Sequence, residues 1–205
     1  MSKYMIIDTE TTGLDHNIHG IITLSAIVFE DTEIVSGWNG VNKDWSSKFK
    51  IDLSALKVNG FMVDRSNTYF GNIFEFNKKV NYLNFINYRS FVYSFVDYML
   101  SECPSCDYLV GMNLQFDLGF IQKALNEFDI NANGFLPRKH IDPRIIACAL
   151  QDCNNLPKPM KYINSESLYE AYQIEAPKAL HASDTDVYMT HKLWLEMKKT
   201  FSSKA

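Results

Sequence analysis

The chain has no run of about 18 consecutive apolar residues, so no membrane-spanning helix is expected. It also lacks a basic excess. Its 20 Lys and Arg are outnumbered by 24 Asp and Glu, for a formal net charge of −4. That balance excludes a protein that grips duplex phosphates along its length, and any hold on a polyanion has to be short or local. It does not exclude a nucleic-acid enzyme, because bound metal ions invert the charge of a carboxylate cluster. No leader segment is read either: Met1-Ser2-Lys3 runs straight into an apolar strand, and an intracellular, cytoplasmic protein is expected. Cysteine is scarce, with four in 205 residues. Cys103 and Cys106 have knuckle spacing, but Cys148 and Cys153 lack the tight spacing of a second zinc pair. Cys148, in the apolar run Ile145 to Leu150, reads as a core residue. Repeats and low-complexity segments are absent as well.

What remains is ordinary globular composition, 46% hydrophobic and 21% charged, rich enough in Phe and Tyr to fill a sizeable core. The length fits one domain. Three apolar runs, 3–9, 20–29 and 33–41, follow one another through short links and read as antiparallel strands. Residues 43–74 have little periodicity apart from a short helix over 53–58, stopped by Asn59-Gly60, and read as a variable insertion. Helical spacing follows over 85–100 and 116–128, with short strands at 108–112 and near 141. Asp142 and Pro143 start a further helix as cap and first turn. Helices over 165–172 and 182–199 close the chain. Three hairpin strands followed by alternating helices and strands predict an α/β fold with a mixed five-stranded sheet flanked by helices.

The chemistry gathers at three places. In Ile6-Ile7-Asp8-Thr9-Glu10-Thr11-Thr12-Gly13-Leu14 two carboxylates stand two apart on a strand, hence on one face. They repel unless a cation lies between them, and an all-oxygen set points to magnesium or manganese. Asp117 opens a helix just after a buried strand. His181 precedes the last helix and Asp186 lies in its first turn. Five residues apart, those two cannot share a helical face, so His181 must reach the site from the preceding loop. Singly, each group has a plainer reading as a cap, a surface acid or a satisfied histidine. Asp142 reads as a cap, Asp184 is not read as a ligand, and His16, His19, His140 and His191 read as surface or core histidines.

Taken together, the three segments resemble the DEDDh group of 3′–5′ exonucleases, DnaQ-like enzymes of the RNase H-like exonuclease fold. Polymerase proofreading subunits, RNase T and exonuclease I belong to that group. Residues 8–14 resemble its first motif, Val110-Gly111-Met112-Asn113-Leu114-Gln115-Phe116-Asp117 its second, and His181 with Asp186 its third. Ile141-Asp142-Pro143 resembles the strand before its next helix, and Met112 stands where many members have a histidine.

The resemblance implies two divalent cations, Mg²⁺ or Mn²⁺, held by Asp8, Glu10, Asp117 and Asp186, with His181 as general base. It implies Thr11, Thr12, Leu14 and, more weakly, Asn113 as holders of the terminal nucleotide. The expected reaction is hydrolysis of single-stranded DNA or RNA 3′ ends to nucleoside 5′-monophosphates. A polymerase or another replication or repair protein is the partner class that the resemblance leaves open. Two alternatives stand beside it: a phosphodiesterase for short or cyclic oligonucleotides, oligoribonuclease-like, and a non-catalytic nucleic-acid-binding module on the same fold. Phe61, Tyr69 and Phe70 are candidate base-stacking residues, or else core.

Overall fold

A computed structural model describes residues 2–58, 79–132, 135–175 and 183–202. Three strands, β1 (Lys3–Thr11), β2 (Ile21–Glu30) and β3 (Glu33–Asn42), pair antiparallel in chain order. Two short helices follow, α1 (Trp45–Lys48) and α2 (Leu53–Val58). Strand β4 (Val80–Ile86) then joins β3 in parallel, and α3 (Tyr88–Glu102) crosses to β5 (Tyr108–Val110), parallel to β1. Helix α4 (Leu114–Asn126) leads to β6 (His140–Ile141), parallel to β5. Helices α5 (Pro143–Asp152), α6 (Ser165–Ala171) and α7 (Ser183–Ser202) complete the described chain. The sheet order is β4-β3-β2-β1-β5-β6.

The expected mixed α/β sheet is present, with a sixth strand where five were expected. Phe85 keeps helical spacing with Tyr88 and Val92, which draws a helix prediction back to residue 85. The helix instead starts at Tyr88, because Asn87 caps it: its side-chain oxygen accepts from the Ser90 N–H at 2.9 Å. The residues before the cap are left extended and pair with β3. A second correction concerns Cys148, expected in the core but exposed. Helix α5 buries Pro143, Ala147 and Leu150, spaced i, i+4, i+7, and Cys148 turns about 100° away from that stripe. All four cysteines are free, and none belongs to a metal-ligating cluster among the described residues.

The period-2 alternation of β1 sorts its side chains between two cores. Met5 and Ile7 face α3 and α4, where Phe91, Phe95, Met99, Phe120 and Ile121 are buried. Each such side chain contributes about 1.5–3 kcal/mol by leaving water. Tyr4 and Ile6 face the other way, with Ile27, Phe29 and Val187 of α7. Asp8 and Glu10 continue that second face, so the strand that builds the core also aims its carboxylates at α7.

The α7 side holds a buried histidine. His191 is 2% exposed, stacks on Phe29 with ring centroids 3.8 Å apart, and lies 3.1 Å from the Tyr4 hydroxyl through Nδ1. Burial, then Lys192 and Lys198, pushes its pKa down to about 3. The unfolded chain takes up this proton near pH 6.5 while the native protein refuses it. Stability is therefore complete above about pH 6.5 and drains as pH falls toward 3, by about 2 kcal/mol at pH 5. His191→Phe keeps the stack and should remove this part of the acid sensitivity. Melting of both proteins between pH 7 and pH 5 checks it; parallel curves would contradict the assignment.

Candidate active site

The carboxyl ends of the parallel strands β1 and β5 open on a cleft of about 170 Å³, lined by Asp8, Thr9, Glu10, Met112, Phe116, Asp117, Ser165, Glu166, Tyr169 and Asp186. Ligand oxygens of Asp8, Glu10 and Asp186 all lie within 4.8 Å of one another. Glu10 and Asp117 are buried, at 6% and 2% exposure.

Asp186 is brought there by a buried polar chain. Asp8 is the register partner of Ser25 on β2. The Ser25 hydroxyl lies 2.8 Å from that of Ser183, the first residue of α7, and accepts from the Asn39 amide at 2.8 Å. Helix α7 is thereby pinned opposite Asp8, and Asp186, in its first turn, stands over the strand. Asp117 arrives from α4 on the other side. Its Oδ1 accepts from the Thr9 N–H at 2.9 Å and from the Thr9 hydroxyl at 2.6 Å, which fixes the carboxylate at the rim of the cluster. Asp142 caps α5 by accepting from the Arg144 N–H, and its other oxygen accepts from the Leu114 N–H, so it orients α4 rather than lining the cleft.

The electrostatics are adverse as the residues stand. At 4.8 Å, two carboxylates repel by about 3.5 kcal/mol at an effective dielectric of about 20. Three such pairs approach the whole stability of a domain, about 5–15 kcal/mol. Burial, then Asp186, Asp117, Glu10 and Asp184, pushes the Asp8 carboxyl well up from its ordinary range. Burial, then Asp186 and Asp117, does the same to Glu10. Asp117 rises to about 7 through burial and Asp142, opposed by the hydrogen bonds from Thr9. An all-carboxylate, oxygen-only donor set under this repulsion fits a hard divalent cation, Mg²⁺ or Mn²⁺.

The other described sequence candidates, Thr11, Thr12, Leu14 and Asn113, are not among the residues that line the cleft. Thr11 donates to the Gly13 carbonyl at 2.8 Å. Thr12 is fully buried; its hydroxyl donates to the Lys50 carbonyl and accepts from the Gly20 N–H, and its own N–H and C=O bond to Gly20 and Asp52. It ties the loop after β1 to the segment before α2. Leu14, 77% exposed, projects from that loop. Asn113 is exposed, in the left-handed region (φ 59°), at the turn into α4. Asp184 is buried beside the cluster but outside the group of three. His181, Phe61, Tyr69 and Phe70 lie outside the described residues.

Sequence reasoning missed Thr9, Ser25, Asn39, Ser183 and Tyr169. Tyr169 is 4% exposed; its hydroxyl makes no hydrogen bond of good geometry among the described residues. Burial, then Asp186, pushes its pKa up against an opposing interaction with the Thr190 hydroxyl, with Asp8 adding to the rise, so it stays a neutral phenol at the cleft wall. Its spacing along α6 carried no such signal.

No protein-family model matches the chain, and no curated protein matches it in sequence. Solved structures do. Exonuclease I of Escherichia coli in a complex with single-stranded DNA superposes with a TM-score of 0.72 over 99% of this chain at 16% identity. The same enzyme with a dA16 oligonucleotide gives 0.69 over 97% of this chain at 17% identity. The chain spans about 42% of the length of the first of these. At this identity the likeness is one of fold: the chain has the mixed-sheet α/β fold of exonuclease I, with an acidic cluster at the carboxyl ends of its strands.

Proposed function

We propose that the chain is a metal-dependent 3′–5′ exonuclease that hydrolyses single-stranded nucleic-acid ends to nucleoside 5′-monophosphates. The observation that carries this reading is the group Asp8, Glu10 and Asp186, with ligand oxygens inside 4.8 Å, in a cleft that Asp117 and Glu166 also line. A protein that only binds nucleic acid gains nothing by presenting clustered carboxylates to phosphate, which argues against the binding-module alternative.

Divalent cations held by Asp8, Glu10 and Asp186, with Asp117 alongside, would supply an activated water and charge to stabilise the leaving 3′-oxygen. The chain's own groups do the positioning. Thr9 fixes Asp117, the Ser25–Ser183 contact fixes Asp186, and Met112 and Phe116 wall the cleft. Tyr169 offers a neutral donor to an incoming phosphate oxygen. Leu14, exposed on the loop after β1, is read by resemblance as an apolar contact for the terminal base. His181 is read as the general base, on its place in the sequence alone.

End-labelled single-stranded DNA, RNA and dinucleotides, compared with Mg²⁺, Mn²⁺ and chelator, test the reading. Mononucleotides released stepwise from 3′ ends, only with a divalent cation, are expected. Exclusive cleavage of dinucleotides or cyclic substrates would favour the short-oligonucleotide phosphodiesterase, and chelator-resistant cleavage would contradict the metal assignment.

A further inference from the structure

A larger groove of about 730 Å³, within the usual range of ligand sites, lies on the other side of α4. Gln115, Gly119 and Gln122, spaced i, i+4, i+7, form its floor with Leu118. Phe116 and Asp117, between them in sequence, face the acidic cleft instead, so one helix borders both cavities. Gly119 makes the floor low. The His16 ring, from the loop after β1, seats there, and a Cβ at Gly119 would stand 3.1 Å from its Nδ1. His16 also meets Phe120 edge-on, with centroids 6.0 Å apart, which fixes it as one wall. Pro137, Arg138 and His140 form the opposite wall, with His140 Nε2 3.0 Å from the Pro137 carbonyl.

The chemistry of this lining differs from that of the chain. A protein of net charge −4 presents in this groove no carboxylate among the described lining residues, one guanidinium, two imidazoles and two amides. Arg138 is exposed and makes no ion pair among the described residues. A guanidinium matches phosphate by paired N–H donors. Imidazole and amide planes offer stacking and adaptable hydrogen bonds to bases of any sequence. We propose that this groove holds the nucleotides on the 5′ side of the terminal one, so that a single strand crosses α4 from the groove into the cleft. The inference rests on the exonuclease reading of the cleft. It also explains how an acidic protein holds a polyanion: through a short footprint on which one cation carries much of the attraction.

The test compares Arg138→Ala and Arg138→Glu with the wild type on dT8, rU8 and a dinucleotide, in Mg²⁺ or Mn²⁺. KM for the eight-nucleotide strands should rise about tenfold in Arg138→Ala, the loss of one charge-assisted contact, and further in Arg138→Glu, while the dinucleotide is affected far less. Binding of dT8 should also lose about 0.7 from its log–log salt slope in Arg138→Ala. Comparable effects on dT8 and rU8 mark a contact to phosphate, and a larger effect on one marks a contact that reads the sugar; either supports the groove. If the wild type cleaves all substrates and the variants match it at every length, the groove assignment alone is wrong. If the wild type cleaves nothing with either metal, the exonuclease reading falls and this inference with it.

Discussion

Asp8→Asn will abolish metal-dependent cleavage and, in chelator, will melt at a higher temperature than the wild type. Both halves follow from the same geometry. Asp8 is central to the group of three, with Glu10 two residues along its strand and Asp186 across from it on α7. Burial and four neighbouring carboxylates oppose its charge. Its amide analogue keeps the volume and removes two of the three close repulsions. Part of that repulsion is already relieved by proton uptake, so a gain of about 1–3 kcal/mol is expected, or about 2–10 °C in a domain of this size. The amide is also a poor ligand for a hard cation. Loss of the charge stabilisation that the cation supplies should cost at least about 10³-fold in rate. Activity thus comes at the expense of stability, as at other strained sites. Product release from a labelled strand and thermal melting in EDTA read the two effects. A variant that cleaves normally, or one that is inactive because it melts lower, would remove Asp8 from the centre of a metal site.

The parts of this site that could be read from sequence are those that local pattern dictates. Asp8 and Glu10 share a face because strands alternate, and Asp142 caps α5 because an Asp before a Pro at a helix start can accept from the free N–H groups of the first turn. Leu14 is singled out only through the family resemblance; its exposure comes from the fold, which leaves the loop after β1 uncovered there. The supports were not legible. Ser25, Asn39 and Ser183 come from β2, β3 and α7, and no sequence spacing reveals that their hydroxyl and amide groups meet. Thr9 alternates away from the carboxylates, so the strand pattern points it at the core. Only the approach of α4 turns it into the holder of Asp117. Thr12 illustrates the converse: it closely follows the carboxylate pair in sequence, but its polar groups are engaged with Lys50, Gly20 and Asp52, contacts made across the fold. Strand β4 was hidden for a different reason. It is an edge strand whose last residues keep helical spacing with the helix that follows, and a single cap, Asn87, decides the boundary.

The second large effect concerns Asp117 and pH. Its native pKa, raised to about 7, stands above the ordinary value of 3.8. Between those values the native protein holds a proton that the unfolded chain has released. By linkage, that proton contributes stability below about pH 4 which is lost as pH rises through 7, on the order of 4 kcal/mol in all. Asp117→Asn has no proton to lose, and its amide oxygen can still accept from both Thr9 donors. In chelator the variant should therefore gain on the wild type steadily from pH 4 to pH 7, by about 10 °C of relative melting temperature. His191 acts on both proteins alike, so its opposite pH dependence cancels in the difference. With Mg²⁺ or Mn²⁺ present the wild type should recover most of this loss, because a cation favours the ionised carboxylates that the cluster alone penalises. The stabilisation conferred by metal should accordingly be larger at pH 7.5 than at pH 5. A difference between variant and wild type that stays flat with pH would mean that Asp117 is ionised throughout. A metal effect independent of pH would mean that the cation sits away from this cluster. The expected pattern ties both to one cause: the fold keeps carboxylates together at neutral pH at a cost that a divalent cation, and little else, offsets.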